Sequence, residues 1–152
     1  MTPGKLSKRV VSDRLSWVER MVHEIQALPL ENREMFFADR RNMWTAESCL
    51  RRALEALFDL GRHILAKGFG LGVSEYKEIA SRLGQQGVLS QEEVGLLQVL
   101  AGYRNRMVHF YHEIGPDELY EVCARDLDDV ERIIEAYQKW LREHKEWLDE
   151  TL

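Results

Sequence analysis

Two side chains five positions apart, Arg104 and His109, stand in the segment Tyr103 to Glu113, YRNRMVHFYHE. Their types fit the cleavage of a phosphodiester. A histidine titrates near neutral pH, so it can take a proton from a 2′-hydroxyl or give one to a leaving oxygen. The planar fork of an arginine holds a phosphate and stabilises the charge that develops on it. Together they suit cutting RNA without a metal ion. On chemistry alone a plainer description is the stronger one: a core arginine with a surface histidine. At about 100° per residue, five residues turn His109 roughly 140° away from Arg104. One straight helix therefore cannot aim both at one spot. Either the helix ends or distorts near His109, or two copies of the chain share the cleft.

Arg104 is also in an unexpected place. Leu97, Leu100, Met107 and Val108 draw one apolar stripe on a helix, and Arg104 lies inside it, seven residues after Leu97. An arginine is seldom fully buried unless something pairs with it. It either snorkels out or lines a polar cleft that another surface completes. On an earlier helix, Arg52, Glu55, Asp59, Arg62 and His63 share one side at steps of three and four, which allows a ladder of surface ion pairs. The ladder is the plain expectation. The functional one is that Asp59, or failing it Glu55, reaches Arg104 and orients it.

Other candidates are weaker. His109 and His112 are three apart, but only the adjacent Glu113 could extend them to a ligand set, so no metal site and no cofactor are expected. KGFGLG, residues 67–72, lacks the ending of a phosphate-binding P-loop and follows a helix rather than a strand, so it reads as a turn. The pairs Arg40–Arg41 and Arg51–Arg52 could meet phosphates, although charged pairs on a long helix are usually its wet face. His23, His63 and His144 read as solvated or partly buried surface groups. Cys49 and Cys123 form no C-x-x-C pair and read as small buried thiols, which fits a reducing cytoplasm.

The elements that must position these groups are helices. The chain has 152 residues, 45% hydrophobic and 31% charged, enough for one domain with a real core. The net charge of −5 argues against non-specific coating of nucleic acid but leaves room for a local basic cleft. No apolar run is long enough to span a bilayer, and the N-terminus has no signal-like apolar core. With prolines only at 3, 29 and 116, long stretches lack a breaker. A first helix is expected over about 7–28, with Val11, Leu15, Val18, Val22 and Ile25 as its stripe. A second runs over about 32–67, with a break near 40–45. A short helix follows, with Ser74 as its cap. SQEE, residues 90–93, has the form of a capping box and opens the helix that carries Arg104. Pro116 starts a last long helix, and the acidic end, 143–152, is expected to fray. The whole is one all-α, up-and-down helical bundle over 1–152.

The stretch RNRMVHFY, residues 104–111, resembles the R-x-x-x-x-H-x-Y signature of HEPN-domain toxins of the HepT-like family. The likeness extends from about residue 9 to 141, through LRRALEALFDLGRHILAKGFG and the helices after it. Residues before about 45 contribute little beyond helical periodicity. This resemblance implies a HEPN-like bundle that forms a symmetric homodimer with a composite cleft, or a higher assembly with its partner. It implies a metal-independent endoribonuclease acting as the toxin of a toxin–antitoxin pair. The implied partner is a minimal nucleotidyltransferase antitoxin that adds AMP to the motif tyrosine. By position, Arg104 binds phosphate, His109 is the general base or acid, Asn105 shapes the cleft, and Tyr111 accepts AMP. Asp59 matches the acidic residue on the second helix. Arg106 and His112 are extra positive or titratable groups beside the motif. The alternative from another class is a non-catalytic helical dimer that binds a nucleotidyltransferase and is modified by it.

Overall fold

The computed structural model describes residues 5–108 and 114–151. Among the described residues seven α-helices follow one another: α1 Lys8–Gln26, α2 Arg33–Ala38, α3 Arg40–His63, α4 Tyr76–Gln85, α5 Gln91–Val108, α6 Pro116–Glu121 and α7 Leu127–Glu143. Two of the junctions are single π-helical stretches, Ile64–Gly68 after α3 and Val122–Asp126 between α6 and α7. The all-α architecture is the one the stripes demand. Val11, Val18, Val22 and Ile25 of α1 are buried, as are Leu50, Leu54, Leu57 and Gly61 of α3 and Leu127, Val130, Ile134, Tyr137 and Leu141 of α7. α3 is the central element and touches α1, α2, α4, α5 and α6. Each fully buried leucine there contributes about 1.5–3 kcal/mol of transfer free energy. No helix of the described residues is long and apolar enough to cross a membrane.

The breaks have local causes. Between α2 and α3, Asp39 adopts an extended backbone, and its carboxylate accepts the Arg41 N–H at 3.0 Å, so it stops one helix and caps the next. Ser90 and Glu93 form the expected reciprocal box, with Ser90 N–H donating to Glu93 Oε1 at 2.8 Å and Glu93 N–H to Ser90 Oγ at 3.2 Å. After the π-helical stretch, Leu71 N–H reaches Leu65 O at 2.9 Å and Gly70 takes φ +69°, closing the helix end in the way glycine allows. KGFGLG is thus helix end and turn. One expected cap is absent: α4 starts from Glu75 with no side-chain cap, and the Ser74 carbonyl instead accepts Arg62.

The expectation that 143–152 frays is corrected. Leu148 and Asp149 pair in parallel with Leu6 and Ser7, forming a two-residue ribbon that ties the two ends together. Trp147 lies 5.1 Å from Phe69 and 5.3 Å from Trp140, over Gly68, where a Cβ would meet its ring at 3.1 Å. Aromatic burial outweighs the acidity of the tail. His63 joins the same arrangement: its Nε2 accepts the Ser7 N–H at 3.0 Å.

Candidate functional site

The stripe on α5 leaves the core part-way along the helix. Leu97, Leu100 and Ala101 are buried, whereas Val108, on the same face about three turns after Leu97, is 40% exposed. Arg104 sits at that transition. Its guanidinium lies over the ring of Tyr76, 4.3 Å from the centroid, and Tyr76 in turn stacks on Phe58 at 4.5 Å with rings 16° apart. Arg104 Nε is buried and has no hydrogen-bond partner among the described residues. A buried donor without an acceptor costs about 1–3 kcal/mol unless something supplies one. The arginine is thus neither paired in the core nor free in water. It is clamped on an aromatic face with donor capacity left over, the state expected of a group waiting for an anion.

The Tyr76 platform is held from two sides. α4 packs on α3 where Gly61 leaves no room, since a Cβ would meet Tyr137 Oη at 2.8 Å and Leu83 Cδ1 at 3.0 Å. It packs on α5 at Gly84, where a Cβ would meet Val94 Cγ2 at 2.5 Å. Two glycines therefore set how closely the helix bearing Tyr76 approaches the helices bearing Arg62 and Arg104. Arg62 also lies over Tyr76, at 5.7 Å, and donates to the carbonyls of Val73 and Ser74.

Asp59 does not reach Arg104. Its carboxylate pairs with Arg62 at 3.0 Å and with Arg14 of α1 at 3.6 Å. Glu55 pairs with Arg51 at 3.1 Å. Of the expected ladder the Asp59–Arg62 rung forms, while Glu55 turns to Arg51 and His63 to Ser7, and Asp59 touches the Arg104 environment only through Arg62 and Tyr76. Arg106 is likewise engaged: both guanidinium nitrogens meet the Glu118 carboxylate, and that hydrogen-bonded cation holds the Glu118 carboxyl below the usual range. The pair ties the end of α5 to α6. Tyr103 donates to Asp126 at 3.4 Å, with burial first and the neighbouring Asp126 second pushing its hydroxyl pKa up. Asn105 is half-buried one position beyond Arg104. His109, Tyr111 and His112 lie outside the described residues.

Among the described residues, no three His, Cys, Asp or Glu side chains come together to hold a metal ion. Cys123 is buried, which pushes its thiol pKa up to about 12, and the half-buried Cys49 is shifted the same way by burial, so both are inert at neutral pH. His63, read as a solvated or partly buried group, is half-buried, and burial, followed by Lys67 and Arg14, lowers its pKa. Sequence inspection missed Tyr76. Only its type hinted at a role, because a cation–π contact between α4 and α5 leaves no mark in local spacing.

Comparison with known proteins places this geometry. The chain superposes on the tri-AMPylated HEPN toxin of Shewanella oneidensis in complex with MNT antitoxin. The TM-score is 0.75 at 24% identity, covering 86% of this chain and 97% of that one. A toxin–antitoxin complex with AMP-PNP matches at TM-score 0.73 and 23% identity, over 84% and 97% of the two chains. A cytosolic protein of unknown function from Bacillus subtilis matches at TM-score 0.73 and 16% identity, over 91% and 94%. At these identities the likeness speaks for the fold alone. No curated protein matches by sequence. The family model described as ribonuclease HepT-like matches residues 18–137, from within α1 to within α7 and across the whole Arg104 segment. The chain belongs to the HepT-like ribonuclease family.

Proposed function

We propose that this protein is a metal-independent endoribonuclease, the toxin of a toxin–antitoxin pair, with Arg104 and His109 as its catalytic residues. The observation that carries the proposal is Arg104: a guanidinium stacked on Tyr76, its Nε buried and without an acceptor among the described residues. Arg104 as a whole is only half-buried, so the open part of its fork can take a phosphate, whose charge it stabilises as the bond breaks. His109 follows five positions later. It takes the 2′-hydroxyl proton as the oxygen attacks the adjacent phosphorus, or returns a proton to the departing 5′-oxygen. Asn105, beside Arg104, shapes the cleft, and Asp59 acts at one remove by holding Arg62 against Tyr76.

Two copies of the chain complete the cleft in this proposal. The α5 stripe continues past the core to Val108, and a depression beside it is walled by Met43, Met107, Ile114, Pro116 and Leu119, with Glu47 at its wall as well. Apolar surface next to a half-buried arginine fits a symmetric contact in which each chain covers the other's helix end. A shared cleft also removes the difficulty that about 140° separates Arg104 from His109 on one helix.

The partner is a minimal nucleotidyltransferase antitoxin. Support comes from the Shewanella oneidensis toxin, which is AMPylated and bound to its MNT antitoxin. Tyr111 is the acceptor here, two residues from His109. An AMP there adds a phosphate that competes with substrate for Arg104. The test is cleavage of RNA by purified, unmodified protein in EDTA, beside Arg104→Ala and His109→Ala shown to be folded. Cleavage by the parent and by neither variant is expected. No cleavage of several RNAs by the parent would favour a non-catalytic protein that only binds and is modified by its partner.

A further inference from the structure

The cations of α1 and α3 gather on one face although the protein as a whole carries a net charge of −5. Arg14 and Trp17 of α1 and Arg52 of α3 wall one depression together with the carboxylates of Glu55 and Asp59, and Arg14, Trp17 and Arg20 wall the next together with Asp13. The two share Arg14 and Trp17, so they are continuous. Arg20 and Arg52 are exposed, and neither has a carboxylate partner among the described residues. The Arg20 guanidinium lies 5.7 Å from the centre of the Trp17 ring.

From this face a series of contacts leads to Arg104. Arg14 meets Asp59, Asp59 meets Arg62, Arg62 lies over Tyr76, and Arg104 lies over the same ring. Arg52 and Arg62 are separated by ten residues of α3, about 15 Å along the helix axis. We propose that the α1–α3 face is a track for single-stranded RNA that leads its backbone to Arg104, with Trp17 as a base-stacking platform and Arg20 and Arg52 as phosphate contacts. This inference rests on the ribonuclease function proposed above.

Three features favour RNA over an acidic protein face. The depressions are lined mainly by charged groups, without the apolar centre that protein interfaces use. A guanidinium lies over a ring at each end of the path, Arg20 over Trp17 and Arg62 and Arg104 over Tyr76, the combination that grips bases and backbone without reading sequence, with Asp59 joining Arg14 to Arg62 between them. The path also ends at Arg104, whose buried Nε has no acceptor among the described residues. Arg14, Asp59 and Arg62, each about 40% exposed at the side chain, remain accessible along it.

The experiment measures binding of a short, fluorescein-labelled 2′-O-methyl RNA, which cannot be cut through its 2′-oxygen, by anisotropy at several salt concentrations. The parent is compared with the double variant Arg20→Glu/Arg52→Glu, with Trp17→Ala, and with Lys139→Glu as a control for half of that change in net charge. Cleavage of unmodified RNA is followed in parallel. The double variant should bind at least about tenfold more weakly. Its salt dependence should be shallower by about 0.7 in log–log slope for each phosphate that is no longer neutralised. Trp17→Ala should weaken binding by roughly tenfold, and Lys139→Glu should change it less than twofold. In cleavage the loss should fall mainly on KM. If the parent cuts RNA and the double variant binds as tightly as the parent, the track is wrong and the ribonuclease function stands. If the parent binds through this face and never cuts, the track stands and the ribonuclease function falls.

Discussion

At the scale of single residues, the central feature is an arginine whose position is explained by an aromatic ring rather than by a carboxylate. Stacking on Tyr76 fixes the guanidinium without neutralising it, so its charge remains available to a phosphate. An Asp59–Arg104 pair would have done the opposite. Tyr76→Leu keeps most of the apolar contact with Phe58 but removes the ring face. It should lower kcat/KM for RNA by about two- to tenfold with little change in Tm. Unchanged cleavage by that variant would mean that the ring only packs. Arg104 itself was legible in the sequence, because an arginine within an apolar stripe needs a reason and the motif supplied one. Of the two readings of Asp59, the ion-pair one is what forms, with Arg62 on its own helix and with Arg14 on α1, which spacing along α3 cannot reveal.

Among the elements, α4 is set by two glycines, and the Ser7 backbone before α1 is held by His63. A Cβ on Gly61 would press against Tyr137, Leu83 and Ile79 together. Gly61→Ala should therefore cost about 1–3 kcal/mol and lower Tm by roughly 3–10 °C, read by thermal denaturation. His63 accepts from Ser7 N–H, so only its neutral form makes the bond. Its pKa is lowered in the fold from the ordinary 6.5, first by burial. The bond's contribution is complete above about pH 6.5 and is lost as pH falls through the lower folded value. Tm should thus drop between pH 7.5 and 5.5. His63→Gln, whose amide oxygen accepts without titrating, should show a smaller drop, and an equal drop in both proteins would rule out His63 as the cause. The helices themselves were legible from apolar spacing, capping residues and Pro116. The docked tail was not, because its acidic composition hid Trp147, seven residues after Trp140. That repeat is a signal for packing that charge counting overlooks.

For the whole molecule, exposed apolar surface decides the expected assembly. Val108 is 40% exposed, and Met35 and Trp44 are each 57% exposed. Val108→Glu removes nothing from the core of one chain but places a charge where the second copy is proposed to sit. The parent should sediment as a dimer at micromolar concentration and the variant as a folded monomer with much reduced cleavage. A parent that sediments as a monomer would end the shared-cleft proposal. The all-α class was legible at this scale, whereas the exposure of Val108 was not, since exposure of a stripe residue depends on where the core stops. The most direct test of the shared cleft is co-expression of Arg104→Ala with His109→Ala, followed by RNA cleavage in EDTA. If the arginine of one chain works beside the histidine of the other, each mixed dimer keeps one intact site, and about a quarter of parental activity returns on random pairing. Mixed dimers as inactive as either variant alone would contradict a cleft shared between two chains.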